Sequence, residues 1–123
     1  MIATCVAALA FTGASATVAQ AQTSATAASW QCKGTQVSLC IEKVATDKVR
    51  VNFVNTTYST VKARFGLTCA GPSGQWVYDL KTDLAPRGGY LSGTITCPVG
   101  MRDTAVGWQI TSTSTYYSPR ISI

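Results

Sequence analysis

A sandwich of two antiparallel β-sheets is the fold this sequence predicts, and three observations carry it. Strong helix formers are scarce beyond an Ala-rich N-terminus, whereas Thr, Ser and ten Gly are abundant. Short stretches alternate apolar and polar side chains with period two, the pattern of strands that bury one face. Breakers rich in Gly, Pro, Asn and Asp separate those stretches at short intervals.

Taken in order, residues 36–44 set Val37, Leu39 and Ile41 against Ser38, Cys40 and Glu42. Residues 48–55 put Val49, Val51 and Phe53 on one face and Arg50 and Asn52 on the other. Residues 60–69 align Val61, Ala63, Phe65, Leu67 and Cys69, with Lys62, Arg64 and Thr68 opposite. Further strands are expected at 75–80, 89–97, 104–112 and 116–123. In the second of these, Leu91, Ile95 and Cys97 read as inward and Tyr90 as outward. In the third, Trp108 shares its parity with Val106 and Ile110 and reads as a core aromatic. Pro119 places the last strand at a sheet edge, where a missing N–H is tolerated. Seven short strands at this spacing suit an immunoglobulin-like sandwich, with a small β-barrel as the alternative. No stretch has the 3.6-residue period of a long helix.

The first 32 residues carry no charged side chain. Within them, residues 2–11 (IATCVAALAF) form an apolar run followed by Ala19-Gln20-Ala21, the small-residue form that leader peptidases cut. Met1–Thr4 lack the Lys or Arg that ordinarily opens a leader. The run is too short to cross a bilayer as a helix, which takes about 20 apolar residues. The expected organisation is therefore a secretory signal at 1–21, a flexible lead-in at 22–29 and one domain at 30–123. The mature chain should contain no transmembrane segment, and the protein is expected to be secreted.

Cysteine usage agrees with export. Of five Cys, Cys5 falls in the leader and Cys32, Cys40, Cys69 and Cys97 remain, an even number in a short domain. Their wide spacing, with no C-x2-C pair, argues against zinc. Four Cys allow three pairings. Cys69 and Cys97 both end strands on the inward parity, which favours a bridge across the core. Cys40 points away from Leu39 and Ile41, towards the surface, and its neighbour across the Gly34-Thr35 turn is Cys32. Cys32–Cys40 is therefore expected as a local clip.

Ten Lys and Arg against five Asp and Glu give a net charge of +5, and there is no His. Without His there is no imidazole base to activate a Ser or Thr nucleophile. Asp79 and Asp83 carry no mark of a glycosidase pair. The acids are expected to pair locally with Lys and Arg, no catalytic residue and no metal or other cofactor is expected, and an enzyme is not the reading. Nucleic-acid binding needs clustered cations interleaved with exposed aromatics and is not expected.

Binding residues are sought instead among cations and aromatics. If the strands at 48–55 and 60–69 pair as a hairpin, Arg50, Lys62 and Arg64 form one cationic patch suited to an anionic polymer or an acidic protein. Trp76 and Tyr78 share a face, and Tyr90 and one of Tyr116 and Tyr117 should be exposed; such rings stack on sugars or anchor protein interfaces. Arg87, in Ala85-Pro86-Arg87-Gly88-Gly89, and Arg102, beside Met101 just after Cys97, could instead top a disulfide-braced inhibitor loop. Asn55-Thr56-Thr57 is an N-x-T sequon. The leading expectation is a small secreted, non-enzymatic module that binds a protein or an anionic or glycan surface polymer. The alternatives are a secreted proteinase inhibitor and a structural or toxin-like extracellular protein.

Overall fold

A computed structural model describes residues 29–123, so the expected leader and lead-in up to residue 28 lie outside the described residues. All the regular structure among the described residues is β. One sheet runs β1 (Gln31–Lys33), β2 (Val37–Ala45) and β3 (Lys48–Asn55), with β6 (Gly89–Leu91) and β7 (Ile95–Thr96) both on the far side of β3. The other runs β10 (Ile121–Ser122), β8 (Thr104–Ile110), β4 (Val61–Gly71) and β5 (Gly74–Leu84), with β9 (Thr115–Tyr117) also on β8. Every pairing is antiparallel. Two separate sheets make this a sandwich rather than a barrel.

The alternation in β2, β3 and β4 does what period two requires. Leu39, Ile41, Val49, Val51, Phe53, Phe65, Leu67 and Cys69 are buried in one cluster between the sheets, and the Phe53 and Phe65 rings meet at 5.6 Å across it. Burying about 25 cal/mol per Å² of apolar surface makes this cluster the main stabilising term. Cys69 and Cys97 are bonded and fully buried, one on β4 and the other just past β7, so this bridge staples sheet to sheet. Cys32 is bonded to Cys40, directly opposite in the β1–β2 register. Cys40 lies on the outer parity yet is buried, a correction to the expected surface position.

Several stretches differ from the period-two reading. The stretch 89–97 breaks into β6 and β7 because Ser92 leaves the ladder pattern: its Oγ accepts from Val51 N–H at 2.9 Å. Parity does not carry across the break. Tyr90 therefore faces inward, stacked 6.5 Å from Phe53, and Leu91 is exposed, the reverse of the expectation. The stretch 116–123 breaks at Ser118-Pro119 into the edge strands β9 and β10, with Ser118 Oγ accepting from Gly107 N–H at 2.8 Å. β1 is a short exposed strand that shows no alternation.

Trp108 is buried, at 3% exposure, but not in the core. The β4–β8 register sets Trp108 opposite Gly66, Val106 opposite Thr68 and Ile110 opposite Arg64, all on the outer face. The inward residues of β8 are Ala105, Gly107 and Gln109, opposite Cys69, Leu67 and Phe65. Gly66 makes room for the indole: a Cβ there would lie 2.3 Å from Trp108 Cζ2. The Arg64 guanidinium covers the ring at 5.6 Å.

Candidate functional site

Sheet topology separates the cations expected to form one patch. β3 and β4 lie in different sheets, so Arg50 does not join Lys62 and Arg64. Arg50 instead bonds Glu42 at 2.5 Å and lies 5.2 Å over the Trp30 ring. Ser29 Oγ donates to the other oxygen of the same buried carboxylate. Arg64 is bound to Asp79 at 2.8 Å. Arg102 donates to the Cys97 carbonyl and approaches Asp47 at 3.5 Å. Three of the five acids are thus partners of arginines, and Asp83 accepts from Ala63 N–H.

The two inhibitor-loop arginines are held rather than presented. Arg87 donates to the Thr56 carbonyl at 2.7 Å, and its guanidinium lies 5.1 Å over Tyr58. Pro98–Met101 closes as a tight turn, Met101 N–H to Pro98 C=O, whereas a substrate-like loop is extended. The sequon asparagine is structural: Asn55 is fully buried, its amide donates to the carbonyls of Ser59 and Ala85, and its oxygen accepts from Thr57. It ties the β3–β4 and β5–β6 loops together.

The aromatics divide by position. Trp76 and Tyr78 stack at 4.9 Å on the edge strand β5. Tyr116 and Tyr117 are both exposed, because β9 is a three-residue edge strand with neither face covered.

Lys62 and Tyr116 lie together in a cleft that sequence reasoning did not anticipate. It opens between the β1–β2 hairpin and the β8–β9 hairpin, with a volume of about 720 Å³. Its floor is Val37, Leu39 and Val61; its walls carry Lys33, Lys62, Gln36, Gln109, Tyr116, Tyr117 and three threonines, and no acidic residue. Gly34, at φ +110°, turns the β1–β2 hairpin beside Lys33, in backbone geometry that a Cβ would obstruct at 2.2 Å from Val37 O. On the opposite wall, Thr111 Oγ1 accepts from Ser114 N–H and donates to its carbonyl, holding the β8–β9 turn. Neither Lys33 nor Lys62 has an ion-pair partner among the described residues. Gln109, at 6% exposure, lines the cleft from the inner face of β8, and its side-chain amide has no hydrogen bond among the described residues. Its amide opens on the cleft, where water or a ligand can satisfy it; the buried polar atom left without a partner among the described residues is Trp108 Nε1, on the outer face of β8.

The missed residues Lys33 and Gln36 flank the β1–β2 turn, while Gln109 comes from β8, distant in sequence. The one available signal was Gln109 itself, a polar residue closing the parity row Ala105, Gly107, Gln109. Among the described residues no group of His, Cys, Asp and Glu could hold a metal ion, and no helix is long and apolar enough to cross a membrane. The chain matches no protein family, no curated protein and no solved structure.

Proposed function

We propose that this is a secreted, non-enzymatic binding module whose cleft takes a segment of an acidic surface glycan. The carrying observation is the pairing in one opening of two lysines without ion-pair partners among the described residues and the Gln109 amide, which makes no hydrogen bond within them and faces the cleft, in a lining that holds no carboxylate. Anionic sugar units offer complementary groups. Carboxylate or phosphate oxygens accept from Lys33 and Lys62, hydroxyls exchange hydrogen bonds with Gln109 and the threonines, and the apolar C–H face of a ring stacks on Tyr116 or Tyr117. Two disulfides and the paired acids favour a durable extracellular surface over catalytic chemistry.

Calorimetric titration with uronate oligosaccharides, a polyol-phosphate polymer and their neutral counterparts tests this. Binding is expected for acidic members alone, weakening as salt rises because the contacts are partly screened. The Lys33→Ser/Lys62→Ser variant should bind at least about tenfold less tightly, the loss of roughly 1.4 kcal/mol that fewer charge-assisted bonds imply. Absence of binding to every acidic probe, or full retention of binding by the variant, refutes the proposal.

A further inference from the structure

We infer that two copies of this chain associate edge to edge through Gln75–Asp79 of β5, extending the β10-β8-β4-β5 sheet across a two-fold axis at Val77. The inference is independent of the cleft, none of whose lining residues belongs to β5.

The first argument is a comparison of edges. The outer strands β1, β6, β7, β9 and β10 have two or three residues each, and Pro119 separates the last two. Short edges with Pro resist pairing with another chain. β5 has eleven residues and, among the described residues, pairs with β4 alone. Its protective features, the bulge at Leu80 and the charge of Lys81, come only in its second half. Gln75–Asp79 contains neither Lys nor Pro. Val77 and Tyr78 are 56% and 42% exposed.

The second argument is the direction of the backbone groups. Ala70 C=O accepts from Asp103 N–H across the β4–β8 seam. Hydrogen-bonding direction alternates along a strand, so Gly71, Cys69 and Leu67 face β5 and bond Gly74, Trp76 and Tyr78, their register partners. The intervening Gln75, Val77 and Asp79 direct their N–H and C=O groups to the open edge. Among the described residues, that leaves an unpaired row on a regular strand segment.

The third argument is self-complementarity. An axis at Val77 sets Val77 opposite Val77, Gln75 opposite Asp79 and Trp76 opposite Tyr78 of the second copy. Each Asp79, already bound to Arg64, meets an amide instead of another carboxylate. The stacked Trp76–Tyr78 pair continues into its symmetry mate, and aromatic cross-strand pairs are among the stabilising ones. An axis at Asp79 would oppose two carboxylates and draw the Leu80 bulge into the seam. The Val77 register avoids both. In such a dimer both clefts keep all their lining residues outside the seam strand, so one polymer chain could be engaged twice.

Sedimentation velocity of the disulfide-intact protein over the micromolar range tests the inference. A concentration-dependent monomer–dimer equilibrium is expected. Val77→Pro removes an outward N–H without touching the β4–β5 bonds, and Val77→Lys brings two cations together at the axis. Each should weaken the dimer at least about tenfold while leaving the far-UV circular dichroism of the fold in place. A species that stays monomeric throughout, or a dimer that both folded variants retain, overturns the inference. Glycan binding by a monomer would leave the proposed function standing, and a dimer that binds no glycan would leave this inference standing.

Discussion

Replacing Cys69 and Cys97 together by Ala removes the staple between the sheets, and the loop it closes sets the cost. The two cysteines are 28 residues apart, against 8 for Cys32 and Cys40. Loop-closure entropy then assigns about 3.6 kcal/mol at 25 °C to the longer bridge and about 2.5 to the shorter. Burial widens the gap. Both Cys69 and Cys97 are fully buried, so Ala at each leaves a void worth about 1 kcal/mol more in total. Cys32 is exposed, and the clip joins strands already in register, so losing it frees β1 without opening the core. With net stabilities of roughly 5–15 kcal/mol and about 4–8 °C lost per kcal/mol in a domain of this size, Cys69→Ala/Cys97→Ala should melt about 20–30 °C lower than the parent. Cys32→Ala/Cys40→Ala should melt roughly 10–20 °C lower on the same scale. Far-UV circular dichroism melts of the two double variants measure both. Hydrogen exchange adds a local readout: β1 amides should lose protection in the second variant while β4 amides keep theirs. Equal losses, or a larger loss for the Cys32–Cys40 pair, would refute the reasoning.

Further outcomes follow from the two packed arginine sites. Gly66→Ala forces a Cβ against Trp108 and the Tyr78 carbonyl, so it should cost about 1–3 kcal/mol in denaturant titration and alter tryptophan emission. Arg50→Ala leaves the Glu42 carboxylate buried without its cation and should cost about 1–3 kcal/mol, whereas Asp79→Asn, at a pair exposed on both sides, should cost less than about 1 kcal/mol. Equal destabilisation by these last two changes would show that burial does not govern the pairs.

Period-two alternation in residues 36–69 established three core-forming strands, because side-chain direction in a regular strand follows from sequence position alone; parity and turn proximity favoured the two bridges among three possible pairings, and the tertiary structure decided them. An apolar run and a small-residue motif near the N-terminus supported the expectation of export, which rests on local chemistry. Tertiary structure decided the rest. Whether Arg50 meets Arg64 depends on which strands pair, and β3 and β4 are adjacent in sequence yet belong to different sheets. Which face of β8 is buried depends on register with β4. The row Val106, Trp108, Ile110 is the more apolar, but it packs outside, over Gly66 and under Arg64, while Gly107 fits beside Phe53. Parity also fails where a strand breaks, which turned Tyr90 in and Leu91 out. The cleft draws Lys33, Lys62, Gln109 and Tyr116 from four separate strands, and no local pattern could bring them together. Sequence position determines which way a side chain points along one strand; only packing determines what stands opposite it.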